Sequence, residues 1–151
     1  MKKPDFLKKV KRIHFTGIKG VGMTALACCV RDLGIKVSGS DVAEIFVTDK
    51  VLKQQKIAWK IGFSADHLRP RPDLVITTGA HEGLKNPEVL AAAGQKIPVL
   101  TQGQALGEMM AGKEGISVCG VGGKTTTSAM IATVLSFGQR HPSYAVGVAT
   151  I

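Results

Sequence analysis

Two short glycine turns carry the residue types that hold phosphate. One is Gly120-Val121-Gly122-Gly123-Lys124-Thr125-Thr126-Thr127; the other, about a hundred residues earlier, is Gly17-Ile18-Lys19-Gly20-Val21-Gly22-Met23. Each follows a short apolar run and opens a segment of helical period. The first amides of a helix have no carbonyl one turn back, and the helix dipole favours negative charge there. Glycines that let the backbone come close therefore make an anion cradle. In the second turn Lys124 is placed to reach the β- and γ-phosphates of a triphosphate and Thr125 to set its hydroxyl on Mg²⁺, with the amides of Gly120, Val121, Gly122, Gly123 and Thr126 around them. Val118 stands where strict Walker A spacing has glycine, so this is a shortened G-x-x-G-K-T loop. The first turn reads G-x-x-G-x-G instead of G-x-G-x-x-G, which leaves open a diphosphate site and a plain strand-to-helix turn.

Other residues extend the first turn. Asp41 ends Ser38-Gly39-Ser40-Asp41, 19 residues after Gly22, where an acid can hydrogen-bond a ribose hydroxyl; capping the next segment is its competing role. Lys19 either adds a point charge to a diphosphate or is simply solvated.

Positioning these groups requires an alternation of strands and helices. Periodicity predicts strands over Arg12–Thr16, Lys36–Ser38, Ala58–Gly62, Asp73–Thr78 and Ile97–Leu100. Helices are predicted over Met23–Leu33 with Gly34 behind, Thr48–Gln55, Pro87–Ala93 with proline at the first position, and Gln104–Met110. This is the pattern of an α/β protein with a parallel sheet and helices on both faces. Gly112–Gly115 reads as a linker, after which a strand over Ile116–Cys119, a helix over Lys124–Phe137 and a strand over Tyr144–Val148 are expected. Residues 1–112 then form one domain and 113–151 the beginning of another, so one site reads as complete and the other as cut short.

Composition narrows the class. The net charge is +9 over 151 residues, but six of the 20 basic residues lie in the first twelve positions, and without that segment 14 basic face 10 acidic residues. With one Trp, one Tyr and no nucleic-acid-binding signature, a solvated basic tail is expected and not a nucleic-acid surface. No apolar run reaches the roughly 18 residues of a membrane helix, and the N-terminus has no signal-type core, so a cytoplasmic location is expected. Cys28, Cys29 and Cys119 lack zinc or redox spacing and read as small buried apolar residues.

Taken in order, Gly17-Ile-Lys-Gly-Val-Gly-Met23, Ser38-Gly-Ser-Asp41, Asp73-Leu-Val-Ile-Thr-Thr78, Asn86-Pro-Glu-Val89, Ile97-Pro-Val99 and Gly120–Thr127 resemble the Mur ligase family. Within the family the likeness is to the branch that joins L-alanine to UDP-N-acetylmuramate and to its murein-peptide ligase relative. The resemblance implies a Rossmann-like domain holding UDP-N-acetylmuramate, followed by the start of a P-loop ATPase domain using ATP and Mg²⁺. It places Gly17 to Met23 around the diphosphate, Ser40 and Asp41 near the uridine, and Thr78, Gly79, Ala80 and Asn86 on ligand-facing loops; His81 is a further candidate contact, with a plain exposed-loop position as its competing role. The chemistry implied is phosphorylation of the sugar's carboxylate and attack on the acyl phosphate by an amine, with Lys124 as the catalytic cation.

The chain departs from that branch at Val121-Gly122, where Thr-His is usual, and at Gly62-Phe63, where Gly-His is usual. Phe63 is expected to stack on the base instead, since an aromatic face accepts any base; His67 is expected at the surface. The 151-residue chain is expected not to complete a ligation, and its second part to pack onto another copy or to be disordered. Competing functions are a non-catalytic nucleotide-sugar binding module and a dinucleotide oxidoreductase domain.

Overall fold

β1 (Arg12–Thr16) sits at the centre of a five-stranded, wholly parallel sheet of order β3-β2-β1-β4-β5 in a computed structural model that describes residues 3–146. The other strands are β2 (Lys36–Asp41), β3 (Ala58–Ile61), β4 (Leu74–Thr77) and β5 (Val99–Thr101). Helices α1 (Val21–Asp32), α2 (Thr48–Gln54), α3 (Pro87–Gly94) and α4 (Gln102–Met110) link and cover them, and α5 (Lys124–Phe137) stands apart from the sheet. Strand order reverses between β1 and β4, and ligands of open parallel sheets bind beyond the carboxyl ends of the strands at such a point.

Alternation along the strands sorts residues onto two faces. Ile13, Phe15, Leu74 and Ile76 join α1 residues Met23, Leu26, Ala27 and Val30 in the main core. Val75 enters a smaller cluster with Leu68, Ala92 and Ile97 under α3. His14 and Thr16 occupy the alternate positions of β1 and are buried although polar.

The α/β parallel fold is as the sequence predicts, with boundary differences that have local causes. α4 starts at Gln102 because Thr101 and Gln104 form a reciprocal capping box, a T-x-x-Q signal present in the sequence. β5 starts at Val99, after Pro98, which has no amide to give a ladder. β2 continues to Asp41 because Gly39 leaves room for Ile18, whose side chain lies within 2.6 Å of where a Cβ would stand.

The expected strand over Ile116–Cys119 is absent: residues 116–119 have no regular structure. A parallel strand exists only by pairing, and neither edge of the sheet accepts this segment. Residues 144–146 likewise form no strand, and the rest of the expected Tyr144–Val148 strand lies outside the described residues. Cys28 and Cys29 are half-buried and pack on the main core, but Cys119 is exposed, contrary to expectation. Among the described residues no helix is long and apolar enough to cross a membrane.

Candidate functional site

The first glycine turn is clamped from three sides. The amides of Gly17 and Ile18 donate to the Ser40 carbonyl at 2.9 and 3.1 Å, and the Thr78 amide donates to the Thr16 carbonyl at 3.1 Å. Gly17 has φ +80°, and a Cβ there would lie 2.4 Å from Thr78 Cγ2 and 3.5 Å from His81 Cδ2. Only glycine meets both conditions. Gly20 caps α1 without a side chain, so the first-turn amides of Val21, Gly22 and Met23 lack helical partners. Gly20 and Gly22 are exposed at this mouth, which gives the arrangement an anion needs.

Asp41 is 1% exposed. Its Oδ2 accepts from the Lys19 amide at 2.7 Å and its Oδ1 from the Val42 amide at 2.8 Å, so the carboxylate ties the glycine turn to the end of β2. His81 Nε2 approaches the same Oδ1 at 3.5 Å. Lys19 is neither solvated nor free to meet a diphosphate with its ammonium, as the sequence suggested; its side chain is 2% exposed. Nζ donates to the carbonyls of Val42 and Glu44 at 2.9 and 2.6 Å and lies 3.7 Å from Asp49 Oδ2. The rings of Phe46 and Trp59 flank it at 5.6 and 5.8 Å. Strong hydration makes a lysine costly to bury, and these groups replace the lost water.

Phe63 and His81 stand together at the mouth, ring centroids 5.2 Å apart and planes tilted by 37°. His81 (φ 51°), Glu82 (φ 67°) and Gly83 (φ 52°) form a left-handed run of the kind that persists only where surroundings impose it. Gly79 and Ala80 are exposed on the same loop. Asn86, expected to face ligand, is buried: its Nδ2 donates to the His81 carbonyl at 3.1 Å and its Oδ1 caps α3 through the Glu88 amide at 3.0 Å.

Sequence reasoning singled out no role for Glu88, which is 0% exposed. Its Oε2 accepts from Thr16 at 2.8 Å, Ser40 at 2.5 Å and His14 Nε2 at 3.1 Å; Oε1 accepts from the Ser64 amide at 3.3 Å and His67 Nδ1 at 2.9 Å. Burial pushes its pKa up, but the hydrogen bonds from His14 and Ser40, the charge of His14 and the bond from Thr16 prevail and hold it at about 2. An acid in a first helical turn looks like an ordinary dipole partner, which hides it. The available signal was the polar pair His14 and Thr16 on the alternate face of a central strand. His67 is correspondingly half-buried and engaged, not a surface residue.

The second glycine turn has no such frame. Gly120 (φ +149°) and Gly123 (φ +74°) take backbone conformations suited to glycine, and α5 begins behind Gly123 without a side-chain cap. Lys124 Nζ donates to the carbonyls of Gly120 at 2.7 Å and Val121 at 3.4 Å. Gly122, Thr125 and Thr126 are exposed. Glycine backbone, uncapped helix start, ammonium and hydroxyl together fit a triphosphate with Mg²⁺. Among the described residues no cluster of three His, Cys, Asp or Glu could hold a metal by itself.

Known proteins resemble this chain in sequence and in fold. The model of the Mur ligase family, catalytic domain, matches residues 12–114. The chain belongs to the Mur ligase family. It is 38% identical over 139 residues to the UDP-N-acetylmuramate–L-alanine ligase of Aromatoleum aromaticum, covering 92% of this chain and 29% of that protein. It is 40% identical to the enzyme of the same name from Burkholderia multivorans, with 91% and 29% covered. The crystal structure of UDP-N-acetylmuramate-alanine ligase from Thermotoga maritima superposes with TM-score 0.77 at 35% identity, over 85% of this chain and 30% of that one. A UDP-N-acetylmuramate:L-alanyl-γ-D-glutamyl-meso-diaminopimelate ligase from Neisseria meningitides gives 0.74 at 30% identity, over 85% and 40%. This Mur ligase chain thus spans about 29% of the length of the curated relatives it matches.

Within this Mur ligase chain the tertiary structure brings Gly17, Asp41, Phe63, Thr78 and His81 together from four separate segments, with Phe63, Thr78 and His81 at the mouth and Gly17 and Asp41 buried beneath it. The Asp41 carboxylate is held by two amides instead of being open to a ribose as the sequence suggested. Ser40 and Asn86 lie directly behind the mouth, buried. Ile18 is a core residue, and Met23 faces the core from α1. Only the backbones of these two are available to a ligand.

Proposed function

We propose that this chain carries the UDP-N-acetylmuramate-binding unit and the phosphate loop of an ATP-dependent carbon–nitrogen ligase that adds L-alanine to the sugar's carboxylate. The observation that carries this reading is the clamped glycine turn at the switch point, with uncapped amides at its mouth and the Phe63–His81 pair beside it. The diphosphate lies against Val21 to Met23, and the uridine lies toward Asp41 and Phe63. ATP supplies a phosphoryl group that turns the carboxylate into an acyl phosphate, which an amine can attack. Lys124 and the amides of Gly120 to Thr126 hold the triphosphate, and Thr125 meets Mg²⁺. The family membership and the 38–40% identity to alanine-adding relatives support this choice. The likeness at 30% to the Neisseria ligase supports a peptide as the second reading for the added group.

Met130, Val134 and Phe137 form an exposed apolar stripe on α5, Phe137 at 86%, which supports self-association through this part in the isolated chain. Calorimetric titration tests the main reading. UDP-N-acetylmuramate is expected to bind, Mg-ATP to bind separately, and NAD not to bind. NAD binding without UDP-sugar binding would overturn it in favour of a dinucleotide domain.

A further inference from the structure

Two side chains at the start of α3 reach the two halves of the aromatic pair by separate routes. Asn86 holds the His81 carbonyl at 3.1 Å. Glu88 Oε1 holds the Ser64 amide at 3.3 Å and His67 at 2.9 Å, and so fixes the chain directly after Phe63. The other oxygen of Glu88 is engaged under the ends of β1 and β2 by His14, Thr16 and Ser40. One carboxylate therefore joins the strands that carry Gly17 and Asp41 to the loop that carries Phe63. Asn86 and Glu88 are 1% and 0% exposed, so neither can touch a substrate; the rings they steady border the mouth. The left-handed run that starts at His81 needs an external restraint, and the Asn86 bond is one.

We propose that Asn86 and Glu88 are positioning residues that hold Phe63 and His81 as a preformed seat for the base of a nucleotide whose phosphates lie at the first glycine turn. The inference rests on the nucleotide-sugar reading above. A ring pair set before the ligand arrives loses less freedom on binding than two mobile side chains would, and its aromatic faces suit a flat base better than a sugar or a phosphate.

The test uses the full chain with Glu88→Gln, which keeps side-chain volume, and Asn86→Ser, which keeps a capping hydroxyl but is too short to reach the His81 carbonyl. UDP and inorganic pyrophosphate are the probes. Each variant is expected to weaken UDP about tenfold, the scale of one lost base stack, and to leave pyrophosphate within about twofold. In a Phe63→Ala background the Glu88→Gln effect should shrink to under about twofold, because the ring it positions is gone. In the free protein, magnetic-resonance contacts between the Phe63 and His81 rings should weaken in both variants.

Equal loss of UDP and pyrophosphate would show a general structural role and overturn the proposal, as would an undiminished Glu88→Gln effect without Phe63. If Glu88→Gln fails to fold, Asn86→Ser alone decides. If the unaltered chain binds neither UDP nor its sugar conjugate, the nucleotide-sugar reading fails, and the ring contacts judge positioning by themselves. Unchanged contacts overturn the positioning role, and lost contacts uphold that role while the base seat falls with the nucleotide reading.

Discussion

The two glycine turns are built from the same ingredients and held in different ways. In the first, the amides of Gly17, Ile18 and Lys19 are engaged by the end of β2, the side chain of Lys19 is buried, and the loop after β4 is wedged against Gly17. In the second, Lys124 among the described residues bonds only to carbonyls of its own loop, and Val121 is fully exposed at 106%. A phosphate loop's local conformation comes from its glycines and the helix that follows. Its rigidity comes from the sheet that mounts it, and among the described residues only the first turn has one.

The largest expected effect breaks that contrast at its centre. Gly17→Ala combines a left-handed backbone with a Cβ 2.4 Å from Thr78, and should cost about 3 kcal/mol in urea unfolding and abolish UDP-sugar binding. Gly123→Ala shares the left-handed φ of +74° but meets nothing closer than 4.0 Å, so about 1 kcal/mol of local strain is expected, with the cooperative transition unmoved. Equal losses at the two glycines would mean that the mounting makes no difference.

Glu88 sharpens the contrast through pH. Its pKa is lowered from 4.5 to about 2 in the folded chain, so its contribution is fully present above pH 4.5 and is lost as pH falls from there through about 2. The scale is about 3 kcal/mol. Urea unfolding should therefore weaken steeply over that window, and less steeply in Glu88→Gln. Asp73, also lowered by the amides of Lys11 and Arg12, titrates in both proteins and cancels in the comparison.

Lys19→Met should cost about 2 kcal/mol, by loss of charge-assisted hydrogen bonds. It removes the cation from Asp49, whose Oδ1 is already buried without a partner among the described residues. Thermal unfolding measures this, and an unchanged midpoint would show that the 42–46 segment holds without the lysine. The smallest effect on stability belongs to Lys124→Ala: within about 0.5 kcal/mol, as for an exposed residue. Its Mg-ATP affinity should nonetheless fall, readable by the same titration.

Much of the first region was legible beforehand. The order of strands and helices, the glycine mouth and its nearness to Asp41 follow from periodicity and turn chemistry within short windows. The burial of Lys19 is not legible in sequence because its acceptors, Val42 and Glu44, lie beyond the next strand. The engagement of His67 is hidden because its partner is 21 residues away. The role of Glu88 is hidden because its bonds to Thr16 and His14 span 72 and 74 residues. The strand expected over Ile116–Cys119 had the right composition and no neighbour to pair with.

By itself, then, the sequence determined what depends on near neighbours: the helix starts, the left-handed glycines, the parallel α/β alternation and the presence of two glycine turns that each open a helix. Tertiary structure decided which residues share a site, which charges are buried, and which of the two turns is mounted on a sheet. The physical reason is range. Backbone preference and helix capping act over a few residues, whereas strand pairing, burial and a shared carboxylate join residues that only the folded chain brings within hydrogen-bonding distance.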